Sequence, residues 1–502
     1  TASNFTIAFN STTLIGQYRA GVFANDTKNN VNGSEFKNFS VGMPSLPSSI
    51  IIPFTNPANY TFNSTTLNVS GGYAFLKNVS ESFVLKTQSE FAPGNFTNTT
   101  FNTTTSALML SGINTTGLYI SQALDAGGLS RWLNLSWAER YPYGEEMPNN
   151  RSKETVIGGV DMKNNTLLFH MNNDSSFGES TTRFFDFSYL GNNGSCSGTS
   201  CPAQTAGVIR RASLFDGTSD YITAPDSSSI DFRNLTALFW VNPNSSTSLY
   251  CVVSKGRNDA DDNFEIYIQR DEIMFEWYNT SMLRNNSSNI NLTAGNWTHI
   301  GVVVNGTNLS FYKNGVLIES RSMPRGLVPN TRALWVGRQN YNPNNYYFRG
   351  KLDELALFNT SLAPQQIQDI YSRGAYNLQL RLRTDDDNAS WGNFSGPANN
   401  SSAWYTNTSY SLTGMSNERY IQFLGNLTSL FQGGSPLLYN VSLGYSHLLP
   451  SNITTETFQP LSVSQWKNFT QNAALNGQNI LYRLSDDEGT TWKYWSGSAW
   501  AT

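Results

Sequence analysis

The side chains that could do chemistry are few. The best approach to a catalytic carboxylate pair is RDEIMFEWY, with Asp271, Glu272 and Glu276. Side chains alternate in face along a strand. Asp271 and Glu272 therefore point apart, while Glu272 and Glu276 share a face. Glycoside hydrolysis needs two carboxylates flanking one bond; this pair reads instead as the solvated face of an amphipathic strand. His170, His299 and His447 are the only three histidines. None has metal-ligand spacing around it, and His299 in NWTHIG reads as a packed strand residue. No G-x-S-x-G elbow, H-E-x-x-H pair or phosphate-binding glycine loop is present. The chain reads as a non-enzyme. Cys196 and Cys201 in GSCSGTSCP are close enough for a small loop disulfide, which fits an oxidising exterior. A zinc site would need four ligands, and no second Cys or His pair lies nearby. Cys251 in SLYCVV reads as a buried strand residue.

The chain has 502 residues, a net charge of −4 and only 14 % charged residues. Roughly 25 % is usual. No basic block rises out of that balance, which argues against nucleic acid as a partner. Aromatics at 13 % argue against disorder. The expected source of solubility is N-linked glycan. About 37 N-x-S/T sequons occur where chance would give about 12. They include Asn4, Asn10, Asn63, Asn98, Asn134, Asn234, Asn285, Asn308, Asn407 and Asn468. The expected location is extracellular, at a cell surface. No apolar run reaches about 18 residues, so no membrane span is expected within this segment. No signal peptide opens it. It reads as a mature or trimmed piece of a longer chain.

Hydrophobic period two dominates. FEIYIQ, IMFEWY, HIGVVV and LQLRLR are strand-like. Asn314-Gly315 in FYKNGVLI is a hairpin signal. One helix is expected in LAPQQIQDIYSRG, with Pro364 in its first turn and Gly374 at its C-terminal cap. The fold class is all-β: serial β-sandwich or Ig-like domains. LRTDDDNASWGNFSG at 382–396 aligns without gaps to RLSDDEGTTWKYWSG at 483–497. The second copy, Ser485, Asp487, Gly489, Thr491 and Trp492, resembles the Asp-box of sialidases. There the carboxylate holds a hairpin turn away from the catalytic site, so a structural role is expected here. WKNFT at 466–470 is similar to WLNLS at 132–136, which points to an insertion in the first copy. The expected domains are 1–42, the C-terminal part of an Ig-like sandwich; 43–150 plus 375–447, a discontinuous host sandwich; 160–374, inserted; and 448–502, the incomplete start of a second repeat.

The inserted segment carries NNTLLFHMNND, DFSYLGNNGS, SLFDGTSDYITAP, LTALFWVNP, VSKG, GNWTHIGVVVNGTNLSFYKNGVLIES, LWVGRQN and FRGKLDELALFNTSLAPQQIQDIY in that order. This series resembles the LamG-like, concanavalin A-like jelly-roll family. The resemblance implies a two-sheet jelly roll and a calcium ion held near the domain's start and in its last strand. Asp186 in FFDFS and Asp353 in KLDEL occupy matching places, with Asp216 and Glu354 as weaker candidates. Calcium takes six to eight oxygens, which such carboxylates could begin to supply. Laminarinase-type hydrolases of the same fold carry an E-x-D-x-x-E strand that is missing here.

The expected function is a non-enzymatic structural glycoprotein of a cell surface, a component of a filament, stalk or coat. Its LamG-like domain would touch glycan or protein. Dense sequons, low charge and few cysteines resemble archaeal surface proteins. The expected partners are copies of itself, other surface proteins and carbohydrate. The alternatives are a monomeric lectin-like adhesin and, more remotely, a glycoside hydrolase. Tyr341, Tyr346 and Tyr347 in QNYNPNNYYFRG could stack on sugar faces.

Overall fold

The computed structural model describes residues 19–25, 37–38, 60–62, 64, 67–70, 73–245, 248–256, 262–278, 282–287, 289–339, 346–448, 452–455, 479–485, 487, 489–495 and 500–501. The fold is all-β and carries a concanavalin A-like jelly roll. The jelly roll has two eight-stranded sheets. The front sheet runs Arg183–Phe184, Gly194–Ser195, Ile222–Ala224, Leu334–Val336, Tyr250–Lys255, Phe264–Gln269, Glu272–Tyr278, Met282–Asn286. The back sheet centres on Arg349–Phe358, Leu235–Pro243 and Thr298–Asn305, and Asn165–Phe169 pairs with Arg349–Phe358.

Alternation builds the core. Phe264, Ile266 and Ile268 of FEIYIQ face inward, against Leu235, Ala237, Phe239 and Val241 of LTALFWVNP. Their neighbours Glu265 and Tyr267 therefore face out in front. Every residue of Leu235–Pro243 is buried, because the back sheet is covered on both faces. Its outer face holds Leu238, which packs with Ile367 and Ile370 of the helix Pro364–Ala375. Trp240 on the same face stacks on Tyr371 at 5.7 Å.

Two turn signals act differently. Asn314 (φ 51°) and Gly315 (φ 75°) are both left-handed, as a two-residue hairpin turn requires. Gly374, in contrast, is not the helix cap. It lies within the helix, which runs straight into the strand Tyr376–Asp385. A Cβ at Gly374 would stand 2.8 Å from the Trp240 indole nitrogen, so close approach explains this glycine.

Either side of the jelly roll the chain enters one ten-stranded sheet. Leu124–Glu139 pairs with Glu418–Ser429 and with Leu438–Leu448, and Tyr376–Asp385 pairs with Glu418–Ser429. Trp132, Leu380, Phe423 and Leu443 fill its core. The end segments, expected to belong to two different domains, share a fourth sheet. Arg19–Asn25 pairs with Asn479–Ser485 over seven residues and also with Asn452–Thr455. Mutual pairing satisfies backbone groups that each segment alone would leave open. Both Asp-boxes hold turns. In the first copy Asp387, one place after the Asp386 that aligns with Asp487, accepts the amides of Ala389 and Ser390; in the second Asp487 accepts that of Thr491 at 2.7 Å. Asn388 and Gly489 both take the left-handed conformation. The amide and side-chain donors around each aspartate lower its carboxyl to about 2. Residues 466–470 lie outside the described residues. Among the described residues, no helix is long and apolar enough to cross a membrane.

Candidate functional site

The front sheet carries a transverse row with one position from each of seven strands. The register runs Ser195, Thr223, Trp335, Ser254, Glu265, Glu276 and position 284. Core residues such as Val336, Ile266 and Phe275 sit beside the row in sequence, so the row lies on the outer face. At the end near Trp335 the row is half-exposed. The Arg338 guanidinium lies 4.6 Å from the Trp335 ring centre, 5.0 Å from Tyr221 and 5.3 Å from Tyr347. Its Nη1 donates to the Tyr347 hydroxyl at 3.2 Å. Such stacking fixes ring planes at modest cost.

At the other end the row is buried. Glu276 was expected on a solvated face, but it is only 1 % exposed. In the neighbouring row of the same face, Tyr346 packs on Cys251, Tyr267 and Met274. Glu276 stands directly across from Glu265. The Tyr267 hydroxyl and Gln339 amide both donate to Glu265 Oε2, at 2.5 and 2.9 Å, while Oε1 is buried without a partner. Burial first, and then Asp262, push the Glu265 carboxyl well above the usual carboxylate range. Of the three tyrosines read as sugar-stacking candidates, Tyr347 joins the Arg338 cluster and Tyr346 packs on Tyr267. Tyr341 lies outside the described residues.

The expected calcium ligands are each engaged with backbone amides. Asp186 is saturated by local donors: the amides of Leu168, Ser188 and Asn192, and the Ser188 hydroxyl. Asp353 Oδ2 accepts the amides of Val208 and Ile209, while Oδ1 is buried without a partner. Burial and then Glu354 push the Asp353 carboxyl well up, which favours its neutral form. Asp216 closes its own turn through Thr218, Ser219 and Asp220. Each of these aspartates thus holds backbone amides.

Another group converges. Glu146, His170 and Glu354 bring ligand atoms within 4.8 Å of one another. Glu146 comes from the connector between the host strand and the jelly roll. His170 follows the strand Asn165–Phe169. Glu354 sits at a bulge in the last strand, where two residues oppose Phe239, and takes φ 49°. A bulge re-aims a side chain at a cost in strain. His170 Nδ1 is 2.6 Å from Glu354 Oε1, and Nε2 is 2.9 Å from Asn149 Oδ1. Burial opposes a charge on His170, but Glu354, then Glu146 and Glu179, hold the imidazole above its ordinary value. Sequence spacing could not show this group, since 184 residues separate His170 from Glu354. His299 is buried, and burial lowers its imidazole to about 3.

Cys196 and Cys201 are joined by a disulfide, with Cα atoms 5.2 Å apart. Cys251 is free and buried. Of the sequon asparagines, Asn98, Asn308 and Asn407 are exposed. Asn134 is exposed as well, while Asn234 is half-buried and its Oδ1 accepts the Gly306 amide. Asn4, Asn10, Asn63, Asn468 and the Asn285 side chain lie outside the described residues.

Residues 216–368 match the family model described as the concanavalin A-like lectin/glucanases superfamily. A search of the curated proteins found no match. Among solved structures, the binding domain of Paraclostridial mosquitocidal protein 1 is similar at 14 % identity and TM-score 0.34, over 46 % of this chain and 63 % of that one. Domain 4 of AbnA, a GH43 extracellular arabinanase from Geobacillus stearothermophilus solved with arabinotriose, gives 20 % and 0.32, over 41 % and 98 %. The ligand-binding domain of botulinum neurotoxin serotype D, solved with N-acetylneuraminic acid, gives 12 % and 0.33, over 44 % and 56 %. The family match identifies residues 216–368 as part of a LamG-like, concanavalin A-type jelly-roll domain.

Proposed function

We propose that this chain is an N-glycosylated, extracellular surface protein whose host sandwich presents the jelly roll, and that the jelly roll contacts glycan at the Trp335 end of its front face. The observation that carries this reading is the half-exposed group of Trp335, Tyr221 and Tyr347 around Arg338. Flat aromatic faces beside a guanidinium suit sugar rings, which offer apolar faces and hydroxyl acceptors. The role is binding rather than hydrolysis: Glu265 and Glu276 are both buried, and hydrolysis needs both carboxylates at the sugar. The four exposed sequon asparagines, Asn98, Asn134, Asn308 and Asn407, support a glycan coat. A structural place in a filament, stalk or coat, by contact with copies of the chain, fits the same presentation.

The test is a glycan array probed with the natively glycosylated chain, with arabinotriose and N-acetylneuraminic acid among the probes. Trp335→Ala is expected to weaken any hit at least tenfold without unfolding the domain. An array with no hit, or hits indifferent to Trp335, would favour protein contact instead.

A further inference from the structure

We propose that Glu146, His170 and Glu354 form a site for a zinc-class divalent cation, which fastens the connector to both ends of the jelly roll. The donor set carries the choice of ion. One imidazole nitrogen and two carboxylates suit zinc and its first-row neighbours. Calcium prefers an all-oxygen shell of six to eight ligands. This set shares Glu354 with the weaker calcium candidates that the family resemblance implied, but contains neither Asp186 nor Asp353.

The surroundings fit a ligand histidine. The Asn149 side-chain carbonyl accepts from Nε2 at 2.9 Å, which leaves Nδ1 as the nitrogen turned toward Glu354. A ligand imidazole is commonly anchored in this way through its other nitrogen. With metal–ligand bonds of about 2.0–2.1 Å, donors on one tetrahedral ion stand roughly 3.3 Å apart. The 2.6 Å gap between Nδ1 and Glu354 Oε1 would open by well under 1 Å to admit the ion. Glu146 now meets Asn172 and lies 3.5 Å from Arg210 Nη1. Arg210 is mostly exposed and can turn away into water.

A second observation points to a ligand here. Glu354 also lines a cavity of about 10 Å³ with Met147, Trp240, His299 and Arg373, whose guanidinium is held by Glu154. That is room for about one water. His299 Nδ1 is buried without a hydrogen-bond partner. Three protein ligands leave a zinc ion one open position, usually filled by water. A water in this cavity would complete the ion's shell and satisfy His299. The three ligands come from the connector, the first strand and the last strand, so the ion would hold the jelly roll closed at its junction with the host.

The test uses the full glycosylated chain, stripped with a chelator and reloaded with Zn²⁺, Co²⁺ or Ca²⁺. The expected result is one Zn²⁺ retained per chain by elemental analysis, visible Co²⁺ bands of a nitrogen-containing site, and a higher melting temperature with Zn²⁺ but not with Ca²⁺. Glu146→Gln, a half-buried connector position, should weaken Zn²⁺ at least tenfold. Glu146→His, which supplies another good zinc ligand, should restore it. No retained ion, equal Zn²⁺ affinity in Glu146→Gln, or equal stabilisation by Ca²⁺ would each overturn the proposal.

Discussion

Two carboxylate clusters on the jelly roll are assembled in opposite ways. On the front sheet, Glu265 and Glu276 meet because adjacent strands are in register. At the junction, Glu146, His170 and Glu354 meet because a connector folds back and a bulge turns Glu354 outward. In front, Glu265 accepts from Tyr267 and Gln339, and burial raises its carboxyl well above the usual carboxylate range. The junction keeps its charges by pairing them: Arg373, 1 % exposed, pairs with Glu154 and donates to the Glu146 carbonyl. Carboxylates that meet through strand register are tuned by burial within one sheet, whereas those gathered from distant segments meet through fold-backs and bulges that also bring in a buried arginine.

Breaking the junction should have the largest effect. Arg373→Ala removes one partner of a buried ion pair and is expected to cost about 3–5 kcal/mol. Chemical denaturation reads this directly; a loss under about 1 kcal/mol would mean that the pair carries little of the docking. Gly374→Ala drives a methyl group against Trp240. Its expected cost is about 1–3 kcal/mol, visible as a lower melting temperature with the secondary structure unchanged.

The pH response sharpens the same contrast. Glu139, at the end of the host strand, takes the Trp137 indole hydrogen at 3.0 Å, and burial pushes its carboxyl up to about 8. Its value in the folded chain is therefore raised above the unfolded one. The folded state holds the extra proton between about pH 4.5 and 8, so stability falls as pH rises through that window. Glu139→Gln should flatten this slope and gain roughly 1–3 kcal/mol at pH 8. Melting curves of the two proteins between pH 5 and 8 that stay parallel would contradict it. The smallest effect is expected in front. Glu265→Gln replaces a neutral carboxyl by a neutral amide and should change stability at pH 7 by less than about 1 kcal/mol. A large loss there would mean that Glu265 is charged.

Much of the scaffold was legible in local pattern. Alternation in FEIYIQ separated Phe264 and Ile266 from Glu265 and Tyr267, and Asn314-Gly315 marked its hairpin because both residues tolerate left-handed backbone. The Asp-box turns were legible for the same reason, through Asn388 and Gly489. What failed depended on tertiary context. Glu276 looked solvated because alternation reports a face but not whether that face is buried. Gly374 looked like a cap because its contact, Trp240, is remote in sequence. The Glu146–His170–Glu354 group was hidden by chain distance and by the bulge that re-aims Glu354. A histidine closing the first strand and a carboxylate in the last, in a fold that pairs those strands, was the available signal.

The central claim, glycan contact at the front face, is tested most directly by titration calorimetry with the strongest array hit. Trp335→Ala is compared with Trp404→Ala. The host sheet also stacks an arginine on tryptophan, with Arg381 3.9 Å from the Trp404 ring, but on the host rather than on the jelly roll. The account predicts at least a tenfold loss of affinity for Trp335→Ala and none for Trp404→Ala. Equal losses in both, or none in either, would contradict it.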